Sequence, residues 1–351
     1  MKKFIVFFVV ACLIFTITGC SSGTNSQNVP QTNTAQEGNN NASKELVVYC
    51  PHPLELINPI VSRFESETGI NVNVVAAGTG ELLKRVESEA SNPLGDVLWG
   101  GSILTVQPYQ KYFEKYLSAN EPNMQDQFKN VEGTMTRFSN IPSVIMVNTN
   151  LIGDIPMKGF EDLLNPALKG KIAFADPSAS SSSFEMLVNM LYAMGNGDPE
   201  KGWDYVGKLI KNLDGKLLSG SSAVYKGVAD GEYTVGLTFE EAAANYKRNG
   251  APIDIVYMKE GVMFNPDCVM IIKGAKNLEN AKKFVDFVTG SEAQKMLAKD
   301  LNRRPVIKDI PLENGLIETS QIEKTVRADR NWVLENKQAI LTQFKDMFTS
   351  N

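Results

Sequence analysis

Apolar and polar positions follow two different periods along the chain, and the two periods alternate. Glu45 to Cys50 is a short apolar run typical of a buried strand. Pro53 to Thr68 instead repeats apolar side chains on one helical face and stops at Gly69. The same succession continues with predicted strands at 70–76 and 96–99 and a predicted helix at 81–91. This repetition predicts an α/β protein with a mainly parallel sheet.

A second series of elements begins with a long buried strand from Pro142 to Asn148. It continues with predicted strands at 171–175, 216–218, 234–238, 253–258 and 262–272 and predicted helices at 182–194, 200–212, 223–229 and 240–247. We predict that the remainder is helical, most clearly at 279–289 and 292–298. No internal repeat is visible in the sequence.

The first 19 residues have the pattern of a targeting segment, and we do not expect them to be part of the fold. Lys2 and Lys3 precede an apolar run of 14 residues from Phe4 to Ile17, too short for a membrane span of ~20 residues. Ile17-Thr18-Gly19-Cys20 then resembles a bacterial lipobox, which predicts a signal peptide at 1–19 and a lipid on Cys20; a plain secretory signal is the alternative. Residues 20–43 are polar, and we predict a flexible tether before a folded part that begins near Lys44.

Composition narrows the possible functions. The length of 351 residues suggests a little over two domains at roughly 150 residues each. With 35 basic and 40 acidic residues the chain lacks the basic balance expected of a nucleic-acid-binding protein. A single histidine, and four cysteines without a C-x-x-C pair, argue against zinc and iron–sulfur sites. We therefore expect no cofactor and no resident metal.

Small hydroxyl-bearing turns follow several predicted strands, where open α/β sheets bind ligands. Backbone amides at a helix start, together with the helix dipole, can bind an anion, and serine hydroxyls add donors without charge. Ordinary N-capping is the alternative for any one turn. No G-K-[ST] follows these glycines, which excludes a phosphate-loop ATPase. The candidate ligand-binding residues in these turns are Thr79, Gly80, Ser102, Ser178, Ser180, Ser181, Ser182, Ser183, Ser221 and Ser222.

Three further residues are candidates for ligand binding. His52 lies between two prolines after the first strand, as a ligand-facing or a structural side chain. Glu240 and Glu241 lie at a strand end, where they could favour a helix dipole or accept hydrogen bonds from ligand hydroxyls; because they are adjacent, we expect at most one in the site. No base or oxyanion partner for a nucleophile is readable near Cys50, so we expect no catalysis.

Three segments resemble the extracellular solute-binding proteins of ABC importers, in the branch that takes ferric iron, phosphonates and hexose phosphates. They are Phe160 to Pro177, Ser221 to Ala244 and Asn280 to Gln294. The resemblance implies a type II periplasmic-binding-protein fold with two α/β lobes and two crossover strands. Lobe one would comprise 44–145 and 262–351, and lobe two 146–261. It also implies a monomer, anchored outside the cytoplasm through Cys20, that delivers a solute to a permease and its ATPase.

The resemblance leaves the solute open. Iron-binding members of this branch use two adjacent tyrosines after the strand that here ends at Thr238, whereas this chain has Phe239-Glu240-Glu241. Tyr225, Tyr233 and Tyr246 are near in sequence but form no adjacent pair. We therefore expect a small anionic solute, foremost a sugar phosphate or a related organophosphate or phosphonate. Ferric iron is the alternative and a secreted hydrolase a distant one. A Cys50–Cys268 disulfide is left open.

Overall fold

The computed structural model describes residues 43–350, so the predicted signal peptide, lipidated Cys20 and most of the tether lie outside the described residues. The strands are β1 (Glu45–Cys50), β2 (Asn71–Ala76), β3 (Val97–Ser102), β4 (Thr136–Asn148), β5 (Ile172–Ala173), β6 (Val235–Phe239), β7 (Ile253–Val256), β8 (Val262–Ile271) and β9 (Thr325–Val326). The helices are α1 (Leu54–Thr68), α2 (Thr79–Ser88), α3 (Ile103–Val106), α4 (Ser181–Met194), α5 (Pro199–Leu213), α6 (Ser221–Ala229), α7 (Glu240–Arg248), α8 (Leu278–Thr289), α9 (Ser291–Asp300) and α10 (Arg330–Thr349). Short 3-10 helices lie at Gln107–Tyr112, Glu121–Asn123, Asp126–Phe128, Glu161–Leu164, Pro166–Leu168 and Thr319–Gln321.

The alternation of strands and helices predicted from the sequence is confirmed, but the sheet is mixed rather than mainly parallel. The strand order is β2-β1-β3-β8-β4-β6-β5, with β7 paired to β4 and β9 paired to β8. β1 pairs in parallel with β2 and β3, whereas the long strands β4 and β8 run antiparallel to each other. A continuous apolar run indicates a buried strand but not its direction, which is why the sequence did not distinguish the two cases.

Two segments differ from the prediction. Residues 216–218 form no named strand, and Leu218 makes only an isolated bridge to Ala175. The segment 301–329, predicted as helical, contains one 3-10 turn and β9. Pro305 and Pro311 interrupt helical hydrogen bonding there, and Asn302 adopts a left-handed backbone with φ 53°.

β4 and β8 join two groups of strands. β4 pairs with β8 as far as Pro142 and with β6 from Ser143 onward, so one strand belongs to both groups. One hydrophobic cluster surrounds Phe64 and Phe284, whose rings meet edge to face at 5.1 Å. Another cluster contains α4, α5 and also Phe344 of α10. The boundaries of the two predicted lobes stay a prediction. No helix among residues 43–350 has the length and apolar composition needed to cross a membrane.

Cys50 and Cys268 are both free and buried, so no disulfide joins them. They belong to different hydrophobic clusters, because Cys50 packs with Phe64 and Cys268 packs with Met270. Burial raises the pKa of each thiol to about 12, which keeps both protonated near neutral pH. A thiolate nucleophile at Cys50 is therefore disfavoured.

Candidate functional site

The first turns of five helices line one cleft of about 840 Å³. They belong to α1, α2, α4, α6 and α7, and strands β4 and β8 contribute Ser143 and Asp267 to the same cleft. The first amide groups of a helix have no intrahelical partner, and the helix dipole places partial positive charge at the same end. Five such ends around one cleft create a place for an anion that needs no basic side chain.

The cleft brings together most of the residues predicted from the sequence. His52, Thr79, Ser102, Ser181, Ser182, Ser221, Ser222 and Glu241 line it. Five predicted residues do not: Gly80, Ser178, Ser180, Ser183 and Glu240.

Local hydrogen bonds explain why three of these serines are absent from the cleft wall. Ser178 donates its hydroxyl to Asp176 at 2.7 Å. Ser180 caps α4, because its Oγ accepts the Ser183 amide at 3.4 Å, and Ser183 itself is buried. Capping thus accounts for part of the serine run, and it leaves Ser181 and Ser182 at the cleft.

The second serine turn starts α6. Its N-cap is Gly220, which has no side chain to accept a hydrogen bond from the helix amides. Ser221 and Ser222 therefore bring both hydroxyls and the first amides of α6 to the cleft without a competing cap. α4 and α6 thus present two turns rich in hydrogen-bond donors.

A buried arginine that was not predicted from the sequence forms hydrogen bonds with several polar side chains at the bottom of the cleft. Arg303 is only 3% exposed. Its Nε donates to Glu241 at 2.7 Å, and its Nη1 donates to Asp267 at 3.1 Å and to Ser139 at 3.2 Å. One guanidinium thus contacts two carboxylates, so it offsets one of their two negative charges and limits their repulsion of an anionic solute only in part. Even so, burial raises the pKa of Asp267 to about 6.

His52 is a neutral cleft residue. Burial, and then the positive charge of Arg303, hold the pKa of its imidazole well below the ordinary value. Its Nε2 lies 3.7 Å from Asp267 Oδ2 and is buried without a hydrogen-bond partner. The ring packs edge-on against Trp99 and Phe138. Trp99 is fully buried and belongs to the core rather than to the cleft wall.

The adjacent glutamates point in different directions, as their adjacency predicted. Glu241 lines the cleft, whereas Glu240 is 1% exposed and its carboxylate accepts two hydrogen bonds of 2.7 Å from Arg304. Tyr257 also donates its hydroxyl to Glu240. Arg303 and Arg304 thus pair with Glu241 and Glu240 respectively, and only the first pair belongs to the cleft.

Glu185 is a second missed cleft residue. It lies one helical turn after Ser181 on the same face of α4 and is the only charged residue of that helix. Its Oε1 is buried without a hydrogen-bond partner. Burial raises its pKa to about 8, against the opposing effect of Ser102, while Asp267 raises it further and Lys337 lowers it. A lone acid in an otherwise uncharged helix is the signal that could have identified it.

Glu185 should make stability fall as pH rises from 7 to 8.5. A carboxyl whose pKa is higher in the folded than in the unfolded chain binds more protons when folded, so ionisation opposes folding. We expect the free energy of unfolding to drop by about 1 kcal/mol over this interval, and Glu185→Gln to remove that drop. Urea unfolding at both pH values measures it, with exposed Glu335→Gln as the control. An equal drop in Glu185→Gln would contradict the assignment.

Two tyrosines separated in sequence meet at the cleft. The rings of Tyr225 and Tyr246 are 5.7 Å apart between centroids, and both line the cleft. Tyrosines that are not adjacent in the sequence therefore lie side by side at the cleft. Among the described residues, no group of three or more histidine, cysteine, aspartate or glutamate side chains could hold a metal ion.

The family model described as bacterial extracellular solute-binding protein matches residues 60–324. Iron uptake protein A1 of Synechocystis sp. is 25% identical over 285 residues, covering 78% of this chain and 79% of that protein. A putative 2-aminoethylphosphonate-binding periplasmic protein of Salmonella typhimurium is 25% identical over 279 residues, covering 77% and 80% respectively.

A solved structure has a similar fold. The periplasmic binding protein AfuA of Actinobacillus pleuropneumoniae, with exogenous fructose-6-phosphate bound, matches with a TM-score of 0.78 and 24% identity. The match covers 88% of this chain and 99% of AfuA.

Proposed function

We propose that this chain, which belongs to the bacterial extracellular solute-binding protein family, captures a phosphorylated small solute in its cleft. Its fold is the type II periplasmic-binding-protein fold, with two α/β lobes joined by crossover strands. The protein is the solute-binding component of an ABC importer, which implies a permease and its ATPase as partners. Within that class, a sugar phosphate or a related organophosphate or phosphonate is the solute we propose.

The observation that carries this proposal is the pair of serine turns at the starts of α4 and α6. Ser181, Ser182, Ser221 and Ser222 line one cleft together with Thr79 at the start of α2. Amides and hydroxyls at helix starts match the several acceptor oxygens of a phosphate or phosphonate group. The Salmonella relative named for 2-aminoethylphosphonate supports the same ligand chemistry.

Other polar groups in the cleft suit the rest of the solute. Neutral His52 and the side chains of Asn245 and Asn265 line the cleft. They can donate or accept hydrogen bonds with hydroxyl groups. Glu241 adds a carboxylate acceptor whose charge is partly offset by Arg303, which it shares with Asp267. A polyhydroxylated phosphate ester would satisfy both sets of groups.

Titration calorimetry of the full-length protein in detergent tests the proposal. We expect saturable binding of a hexose 6-phosphate and at least ~100-fold weaker binding of the parent hexose, since each hydrogen bond to a charged group is worth ~1.5–3 kcal/mol. Inorganic sulfate serves as a control for non-specific anion binding. Equal affinity for the hexose and its phosphate would refute a phosphate subsite.

Ferric iron is the second candidate, and the meeting of Tyr225 and Tyr246 in the cleft favours it. The relative named as an iron uptake protein adds support. Burial raises the pKa of both phenols, which disfavours phenolate formation until a strong Lewis acid is present. Ferric citrate should produce a visible phenolate charge-transfer band if iron is the solute, and none if the phosphorylated solute is correct.

We propose that the protein is anchored on the outer face of the membrane through lipid on Cys20, which lies outside the described residues. Full-length Cys20→Ala should leave the membrane fraction, because the thioether cannot form without the thiol and no other segment is proposed as an anchor. Fractionation with high-salt washing measures this, with Cys12→Ala as the matched control. Retention of Cys20→Ala in the washed membranes contradicts the anchor.

A further inference from the structure

A second cavity of about 510 Å³ lies against β4 and β8 beside the cleft, with which it shares Ser102 and Asn265. Asn140 and Pro266 line this cavity, whereas the neighbouring residues Ile141 and Asp267 line the cleft. The segment from Arg304 to Arg330, which connects α9 to α10, supplies much of the remaining wall.

Four arginines line this second cavity, and their charges are incompletely compensated. Arg304 is paired with Glu240. Arg137 and Arg330 share one carboxylate, that of Glu132, each at 2.7 Å.

Arg327, also in the cavity wall, has no ion pair with any residue of 43–350. Glu318 is the one acidic residue in the wall among those described. Its carboxylate belongs to a capping box at the start of a 3-10 turn. Arg137 and Arg330 share the carboxylate of Glu132, and Arg327 has no ion-pair partner among residues 43–350. The cavity wall therefore carries a surplus of positive charge.

A buried polar atom adds an independent indication of a ligand. Asn140 lines the cavity and is 7% exposed, and its Oδ1 is buried without a hydrogen-bond partner. Leaving such an acceptor unpaired is costly, and a hydroxyl donor on a ligand would satisfy it. Gln125 and Thr319 place further polar side chains in the wall.

We propose that this cavity is a second binding site, for a small anion that carries carboxylate or phosphate groups together with a hydroxyl group. The arginines would bind the anionic oxygens, for which the guanidinium geometry is well suited. Asn140 would accept the hydroxyl. The site adjoins the cleft and shares Ser102 and Asn265 with it, but the four arginines line only the second cavity.

Titration of citrate, a hydroxylated tricarboxylate, into the full-length protein in metal-free detergent buffer tests this site. We expect saturable binding that is about fivefold weaker in Arg327→Gln and weaker again in Arg327→Glu, because Arg327 is exposed and its attraction is partly screened. Arg63→Glu, at an exposed arginine outside both cavities, changes net charge equally and should leave citrate affinity unchanged within about twofold. Ser181→Ala/Ser182→Ala, in the cleft, should also leave it unchanged.

Two results would overturn the proposal. One is the absence of saturable citrate binding to the wild-type protein. The other is citrate binding that is lost in the cleft variant or in Arg63→Glu as strongly as in Arg327→Glu. The melting temperature of each variant is measured without citrate. This control shows that a variant with weakened citrate binding is still folded.

Discussion

Replacing Arg303 with methionine is expected to lower the free energy of unfolding by about 3–5 kcal/mol at pH 8. The substitution leaves two buried carboxylates, Glu241 and Asp267, without their shared guanidinium. Each was in contact with Arg303 in a region where side chains are less than a tenth exposed. An uncompensated buried charge is far more costly than the loss of an exposed ion pair.

The pH dependence of this loss of stability shows whether it comes from an uncompensated buried charge or from the lost packing of the arginine side chain. Burial already raises the pKa of Asp267 to about 6, while Arg303 lowers it, so the pKa in Arg303→Met should be higher still. At pH 5 Asp267 is then neutral in the variant, and the loss of stability should be smaller than at pH 8.

Urea unfolding at both pH values measures the effect. Arg63→Met is the matched control, because Arg63 is 49% exposed and paired with Glu67; it should cost less than ~1 kcal/mol. An equal loss in the two variants, or an Arg303→Met loss independent of pH, contradicts this account of the cleft floor.

Removing the hydroxyls of Ser181 and Ser182 is expected to weaken binding of a hexose 6-phosphate by at least ~100-fold. Two hydrogen bonds to a charged group are lost, each worth ~1.5–3 kcal/mol. The fold should tolerate Ser181→Ala/Ser182→Ala, because Ser181 is exposed and Ser180, which caps the helix, remains.

Ser178→Ala is the control for this variant. Its hydroxyl belongs to the same serine run but donates to Asp176 away from the cleft. Affinity for the hexose phosphate, measured by calorimetry, should be unchanged in Ser178→Ala. A double variant that binds as tightly as wild type removes the α4 turn from the site.

The sequence predicted the parts of this structure that depend on local patterns. The apolar face of α1 and the run of β1 lie within one or two residues of their predicted bounds. The serine turns were recognisable because hydroxyl residues cluster at helix starts after strands. Local chemistry did not reveal which serines cap the helix and which face the cleft, because that depends on the rotation of α4.

The missing parts of the site depend on contacts between distant residues. Arg303 pairs with Glu241 across 62 positions, and it lies after α9 in a segment that was predicted as helical but forms neither helix nor strand around Arg303. Tyr225 and Tyr246 meet because α6 and α7 pack side by side, which no spacing rule between them indicates. The antiparallel direction of β4 and β8 could not be predicted from the sequence either, because both are almost continuously buried strands.

Native mass spectrometry of freshly purified full-length protein tests the central claim most directly. The protein is isolated in detergent without added phosphate compounds, and the bound species is dissociated and fragmented in the instrument. We predict one solute per chain, and a phosphate or phosphonate fragment from that solute. A bound iron ion, or a solute without phosphorus, contradicts the claim that the two serine turns bind a phosphorylated solute.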